Sequence, residues 1–146
     1  MEKRVNINET EPQAFKAMYA LVGYLGSAKI SKTHMELIKI RASQINGCAY
    51  CIDMHTKDAL KNGETNQRIF LLNAWRETNL FTEEERVLLA MTEEITLIHD
   101  KGLSDETYKK AEQFFDKNAI AQIIMAIVTI NAWNRIAVST QLEPGN

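Results

Sequence analysis

The chain has 146 residues, of which 45% are hydrophobic and 25% are charged, a balance typical of one globular domain that folds throughout. Its net charge of -2 comes from acidic and basic residues mixed along the sequence, which disfavours a nucleic-acid partner. Residues 1–13 lack the apolar core of a secretory signal, and no apolar stretch suggests a membrane span. We therefore expect one cytoplasmic domain over residues 1–146, without a membrane partner.

The first third of the chain repeats its apolar residues with the period of amphipathic helices. A helix is predicted over about residues 11–27, with Thr10 and Gln13 as a capping box at its start. A second helix is predicted within residues 30–45, and Ser31 is a suitable N-cap for it.

A third helix is predicted to begin around Cys48. Asn46 and Gly47 interrupt the preceding helix, and either of them can cap the next one. Asn62 and Gly63 form a typical C-terminal stop. Cys48 is therefore expected in the first turn of this helix.

Two further helices are predicted between residues 66 and 102. The first covers residues 66–77. The second covers residues 82–102, with Thr82 and Glu85 as its capping box and Gly102 as its stop.

The last two helices are predicted over residues 105–117, where Ser104 is the cap, and over residues 118–141. The final segment is apolar on most of its circumference, so we expect it to lie partly in a subunit interface. Asn134 and Arg135 are expected to hydrogen-bond a helix end or a neighbouring subunit. No segment shows the alternation of apolar and polar residues that is typical of a half-buried strand, so the predicted fold class is all-α.

The chain contains two cysteines, Cys48 and Cys51, and His55 follows one turn later. On one helix these side chains fall within a sector about 60° wide. Lowering a cysteine pKa from about 8.5 to about 7 requires about 2 kcal/mol, whereas a helix N-terminus contributes about 0.3–1 kcal/mol. We expect His55 to supply the difference, and Glu36, on the preceding helix, is the candidate that could orient its ring.

The spacing of these four residues resembles a family signature. Glu36, Cys48, Cys51 and His55 resemble the motif of AhpD-like alkylhydroperoxidases in the carboxymuconolactone decarboxylase family. The block "ELIKIRASQINGCAYCIDMHTKDAL" carries the resemblance, and "NAWNR" at residues 131–135 is similar more weakly. The resemblance implies an all-helical AhpD-like domain of about six or seven helices that assembles as a dimer, trimer or hexamer.

The resemblance also implies an antioxidant enzyme, a peroxiredoxin-type alkylhydroperoxidase or disulfide oxidoreductase, that reduces organic hydroperoxides with thiols. Cys51 would attack the O–O bond as the peroxidatic thiolate and become a sulfenic acid. Cys48, as proton donor and resolving cysteine, would then form a redox-active disulfide with Cys51 and release water. His55 and Glu36 would relay protons, and an unidentified dithiol or protein reductant would restore the thiols, with no cofactor or metal implied. Tyr50 occupies a position where the best-studied members carry a histidine.

The same residues allow other interpretations. Thr33 and Glu36 also fit a capping box, in which Glu36 would have only a structural role. The two cysteines and His55 offer three metal ligands, one fewer than a closed zinc site requires. A thioredoxin-like enzyme is disfavoured because no strands flank the cysteines. The alternative function is a non-catalytic helical oligomer that uses the cysteines as a redox switch or as metal ligands.

Overall fold

The computed structural model describes residues 3–145, which form eight α-helices and one 3₁₀ helix and contain no strand. In chain order the helices are α1 (Ile7–Thr10), α2 (Pro12–Gly26), α3 (Lys32–Asn46), α4 (Ala49–Lys61), α5 (Asn66–Phe70), the 3₁₀ helix (Leu72–Glu77), α6 (Glu83–Thr96), α7 (Asp105–Ala111) and α8 (Lys117–Thr140). The all-α prediction is confirmed. The expected number of six or seven helices was too low, because α1 is an additional single turn and residues 66–77 divide into two short helices.

Three helices, α3, α6 and α8, pack against one another at the centre of the core. Ile38 of α3, Leu88 of α6 and Ile127 of α8 are completely buried there. The helix α4 packs on α3 and α8, and α2 packs on α8 through the contacts of Phe15 with Trp133. As a result, α2 and α4 both lie beside α8.

The reversal between α3 and α4 determines where Cys48 lies. Gly47 has a φ of 64°, and its N–H donates to the Gln44 carbonyl, while the Cys48 N–H donates to the Ser43 carbonyl at 3.0 Å. This is a Schellman motif, in which a glycine in the left-handed conformation ends a helix. The expectation that Asn46 or Gly47 caps α4 was wrong, because Gly47 ends α3 and Cys48 itself is the N-cap of α4.

Two of the three side-chain caps predicted for α2, α6 and α7 are present. The capping box of Thr82 and Glu85 and the Ser104 cap of α7 are both present. The proposed box of Thr10 and Gln13 was wrong, since Glu11 precedes α2 and makes no side-chain cap bond there. Proline at the first helical position, Pro12, suits such a start because it lacks an N–H that would need a partner.

Two helices end earlier than their patterns predicted. The helix α6 ends at Thr96, and Gly102, with a φ of 64°, belongs to the turn that follows it. The helix α7 ends at Ala111, since the next residues form the turn in which Asp116 caps α8.

Side-chain hydrogen bonds connect α8 to the end of α3. Asn46 donates from Nδ2 to the side-chain oxygens of Asn131 and Asn134, both at 2.9 Å. Asn134, which is only 1% exposed, donates in turn to Ser43 Oγ at 3.0 Å. The prediction that Asn134 ties down a helix end is confirmed.

The helix α8 is long and apolar enough to cross a membrane by length and composition, contrary to the sequence expectation. Its best window has a mean hydropathy of 1.3, and 39% of that window is buried. One such helix is weak support for a membrane span, because core helices have the same composition. Its interface with another subunit stays a prediction.

Candidate redox site and its pocket

Cys48 and Cys51 lie at the N-terminus of α4 and are joined by a disulfide. Their Cα atoms are 5.3 Å apart, and the side chains are 1% and 2% exposed. The Cys51 N–H points at Cys48 Sγ, at 3.3 Å. The backbone therefore holds the two sulfurs where they can alternate between dithiol and disulfide.

Glu36 and His55 meet as a buried pair. His55 Nδ1 lies 3.1 Å from Glu36 Oε2, and each residue is 8% exposed. The capping-box interpretation of Glu36 was wrong, because Ser31 is the N-cap of α3 and Glu36 lies more than one turn inside the helix. When Nδ1 carries the proton it donates to the carboxylate, so Nε2 becomes the basic nitrogen of the ring.

Asp58 joins this pair, and sequence reasoning missed it. Donor atoms of Glu36, His55 and Asp58 lie within 4.8 Å of one another, and among the described residues this is the group that could hold a metal ion. Two carboxylates and an imidazole suit a hard or borderline divalent cation. The metal site considered from the sequence used the cysteines instead. The sequence does indicate Asp58, because it follows His55 by three residues and therefore lies on the same face of α4.

A cavity of about 600 Å³ opens beside the Glu36 and His55 side chains. It lies between α2, α3, α4 and α8. Its wall is mainly apolar and includes Phe15, Tyr19, Met35, Met54, Trp133 and Ile136. The rings of Phe15, Tyr19 and Trp133 pack edge to face, with centroids 5.2–5.7 Å apart. The cavity therefore combines an acid–base pair with an apolar surface.

Tyr50 separates the cavity from the disulfide. Tyr50 and Ala137 pack against Cys48 and Cys51, and both also line the cavity. The sulfurs thus lie directly behind its wall.

Comparison with known proteins agrees with this architecture. The model of the carboxymuconolactone decarboxylase family matches residues 12–94. YdfG of Bacillus subtilis (strain 168), described as an uncharacterized protein, is 44% identical over 139 residues, which cover 95% of each chain.

Solved structures show the same fold. ATU0492 of Agrobacterium tumefaciens, a protein of unknown function described as a candidate AhpD antioxidant defence protein, superposes with a TM-score of 0.95 at 40% identity. The match covers 99% of this chain and 100% of that one. An uncharacterized peroxidase-related protein of Ralstonia eutropha JMP134, described as an AhpD core, has a TM-score of 0.82 at 17% identity over 95% of this chain and 74% of that one. The chain belongs to the carboxymuconolactone decarboxylase family and has the AhpD-like fold.

Proposed function

We propose that the protein is a thiol-dependent peroxidase that reduces organic hydroperoxides through Cys48 and Cys51. The observation that carries this proposal is the buried hydrogen bond between His55 and Glu36, one helical turn beyond the cysteine pair. Burying a carboxylate and an imidazole is unfavourable unless they are paired, and a structural disulfide would not need them nearby.

The reaction begins in the reduced protein, in which His55 accepts the proton of the Cys51 thiol. The thiolate attacks one oxygen of the hydroperoxide, the O–O bond breaks, and the alkoxide leaves as the alcohol after taking a proton from the His55 imidazolium. Cys51 is thereby oxidised to a sulfenic acid. Glu36 holds the ring and stabilises its cationic form while this proton moves.

Resolution follows within the same turn of helix. Cys48 loses its thiol proton and attacks the Cys51 sulfur as the thiolate. The S–S bond forms, the S–O bond of the sulfenic acid breaks, and the hydroxyl group leaves with that proton as water. An external dithiol then supplies two electrons and two protons to restore both thiols. Each cycle converts one hydroperoxide and one dithiol into an alcohol, water and a disulfide.

The non-catalytic alternative explains less of the site. It would use the cysteines as metal ligands or as a switch, whereas a ligand-sized apolar cavity bordered by an acid–base pair is a feature expected of a site that binds and transforms a small molecule.

The test measures consumption of cumene hydroperoxide with dithiothreitol as the reductant. Wild-type protein should turn over, and Cys51→Ser should fall to the background rate. Cys48→Ser is the matched variant: after it has been reduced and freed of dithiothreitol, it should consume one equivalent of hydroperoxide and accumulate a Cys51 sulfenic acid, which mass spectrometry can locate. Equal turnover by wild type and Cys51→Ser would exclude the proposed function.

A further inference from the structure

We infer that the cavity binds amphiphilic hydroperoxides, with an apolar chain against its wall and a carboxylate at Lys32. The inference rests on the proposed peroxidase function and specifies its substrate class. It concerns long-chain hydroperoxy acids, as opposed to compact hydroperoxides such as cumene hydroperoxide.

The size and surface of the cavity favour an apolar chain. Its volume of about 600 Å³ falls within the range of small-molecule sites, about 300–1,000 Å³. Several side chains in its wall are large hydrophobics that remain partly open to solvent, including Tyr19 at 57%, Val22 at 41% and Leu142 at 48% exposure. Covering them with a ligand removes apolar surface from water, so a longer chain should bind more tightly.

The charges around the cavity favour an anionic group. Four side chains that can carry a charge near neutral pH line it: Lys32, Glu36, Lys39 and His55. The Glu36 carboxylate is shared between His55 at 3.1 Å and Lys39 at 3.6 Å. Lys32 forms no ion pair with any carboxylate in residues 3–145. A carboxylate on the ligand would therefore find one lysine whose charge is not already matched by the protein.

The positions of these groups along α3 determine where the peroxide must lie in the ligand. Lys32 and Glu36 are four residues apart, which is about 6 Å along the helix axis. His55 contacts Glu36, so along α3 the acid–base pair lies about one helical turn from the Cα of Lys32. We therefore expect the hydroperoxide to be separated from the carboxylate by several methylene groups.

Binding of unreactive probes tests the inference without using catalysis. Hexanoate, octanoate and decanoate are titrated calorimetrically into the oxidised protein, below their micellar concentrations. The affinity should rise about fourfold per methylene, the equivalent of about 0.8 kcal/mol. Lys32→Gln should weaken decanoate binding about two- to fivefold, the range of a partly exposed ion pair, without weakening the binding of 1-decanol.

Lys117→Gln is the matched control, because Lys117 is also the exposed first residue of a helix but does not line the cavity. Equal decanoate affinities of the Lys32→Gln and Lys117→Gln variants, or no dependence on chain length, would overturn the inference. So would a kcat/KM for a long-chain hydroperoxy acid no higher than that for its methyl ester.

If cumene hydroperoxide is still reduced in such a case, the proposed function stands and only the substrate class is wrong. Chain-length-dependent binding without turnover of either hydroperoxide would instead reject the peroxidase.

Discussion

At the scale of single residues, the proposed reaction depends on the pair of His55 and Glu36. Both side chains are buried, and His55 Nδ1 and Glu36 Oε2 are hydrogen-bonding partners. A cationic imidazole near a thiolate stabilises the anion, and the carboxylate stabilises the imidazolium. The proposed reactivity of Cys51 therefore depends on a group one turn away on the same helix.

The first residue-scale prediction concerns the ionisation of the reduced thiols. The rate of alkylation by iodoacetamide, measured against pH, should show an apparent pKa below the usual value of about 8.5 in the wild type. His55→Ala should raise it, because the thiolate loses its cationic neighbour. His99→Ala, which removes an exposed histidine, is the control. Identical titration curves for the two variants would show that His55 takes no part in activation.

At the scale of helices, the turn between α3 and α4 positions the cysteines. Gly47 lies in the left-handed region, and the Schellman hydrogen bonds across it direct the chain into α4 at Cys48. The Asn46 and Asn134 side chains hold this turn against α8. The redox pair is therefore anchored by backbone geometry on one side and by a buried amide network on the other.

Replacing Gly47 by alanine should destabilise the protein by about 1–2 kcal/mol, because an L-residue is strained at a φ of 64°. No atom lies within 4 Å of the added Cβ, so backbone strain is the whole expected effect. The free energy of unfolding in urea measures it.

Gly23→Ala provides the matched control. Gly23 lies inside α2 with equal space around its Cβ position, and alanine is favoured there by about 0.5–1 kcal/mol. The two variants should thus change stability in opposite directions. Stabilisation by both would contradict the structure of the turn.

At the scale of the whole molecule, partly buried ion pairs join helices that are distant in sequence. Glu93 of α6 accepts hydrogen bonds from Arg41 of α3 at 2.9 Å, and from Trp75 at 2.8 Å and Arg76 at 2.6 Å in the 3₁₀ helix. Burial alone would raise the pKa of Glu93, but these hydrogen bonds outweigh it and lower the pKa below 4.5.

The pKa of Glu85 in α6 is set by the same opposing effects of burial and hydrogen bonding. Burial opposes its charge, but Arg68 of α5 donates to both carboxylate oxygens, at 2.7 and 3.0 Å, and the Thr82 N–H adds a third hydrogen bond. The net result is a lowered pKa for Glu85. The ion pairs that these two carboxylates form with the arginines of neighbouring helices exist only while the carboxylates are charged.

Acid should therefore weaken the fold. A carboxylate with a depressed folded-state pKa contributes stability above its unfolded pKa of about 4.5, and this contribution is lost as the pH falls through the folded-state value. The urea midpoint should decrease from pH 5 towards pH 3, and the decrease should be smaller in Glu93→Gln. Glu83→Gln, which removes a carboxylate of α6 that is 82% exposed, is the control. An equal pH dependence in both variants would contradict the role of Glu93.

The sequence by itself determined the all-helical class and the approximate position of most helices. It also identified the four candidate site residues, Glu36, Cys48, Cys51 and His55. The spacing of apolar residues along a helix and the side chains that cap it involve residues within one or two turns of each other. Both can therefore be recognised in a short stretch of sequence. Glu36, on the preceding helix, was the expected partner of the His55 ring, and the two side chains are paired in the structure.

Only the tertiary structure decided the ends of α6 and α7, the position of Asp58 beside His55, and the cavity. The cavity is bordered by Phe15 of α2 and Trp133 of α8, which pack together, and by Lys32 and Glu36 of α3. Such contacts depend on how helix faces far apart in the chain fit against one another. No short stretch of sequence contains that information, because each face can pack in several ways and the whole core selects one.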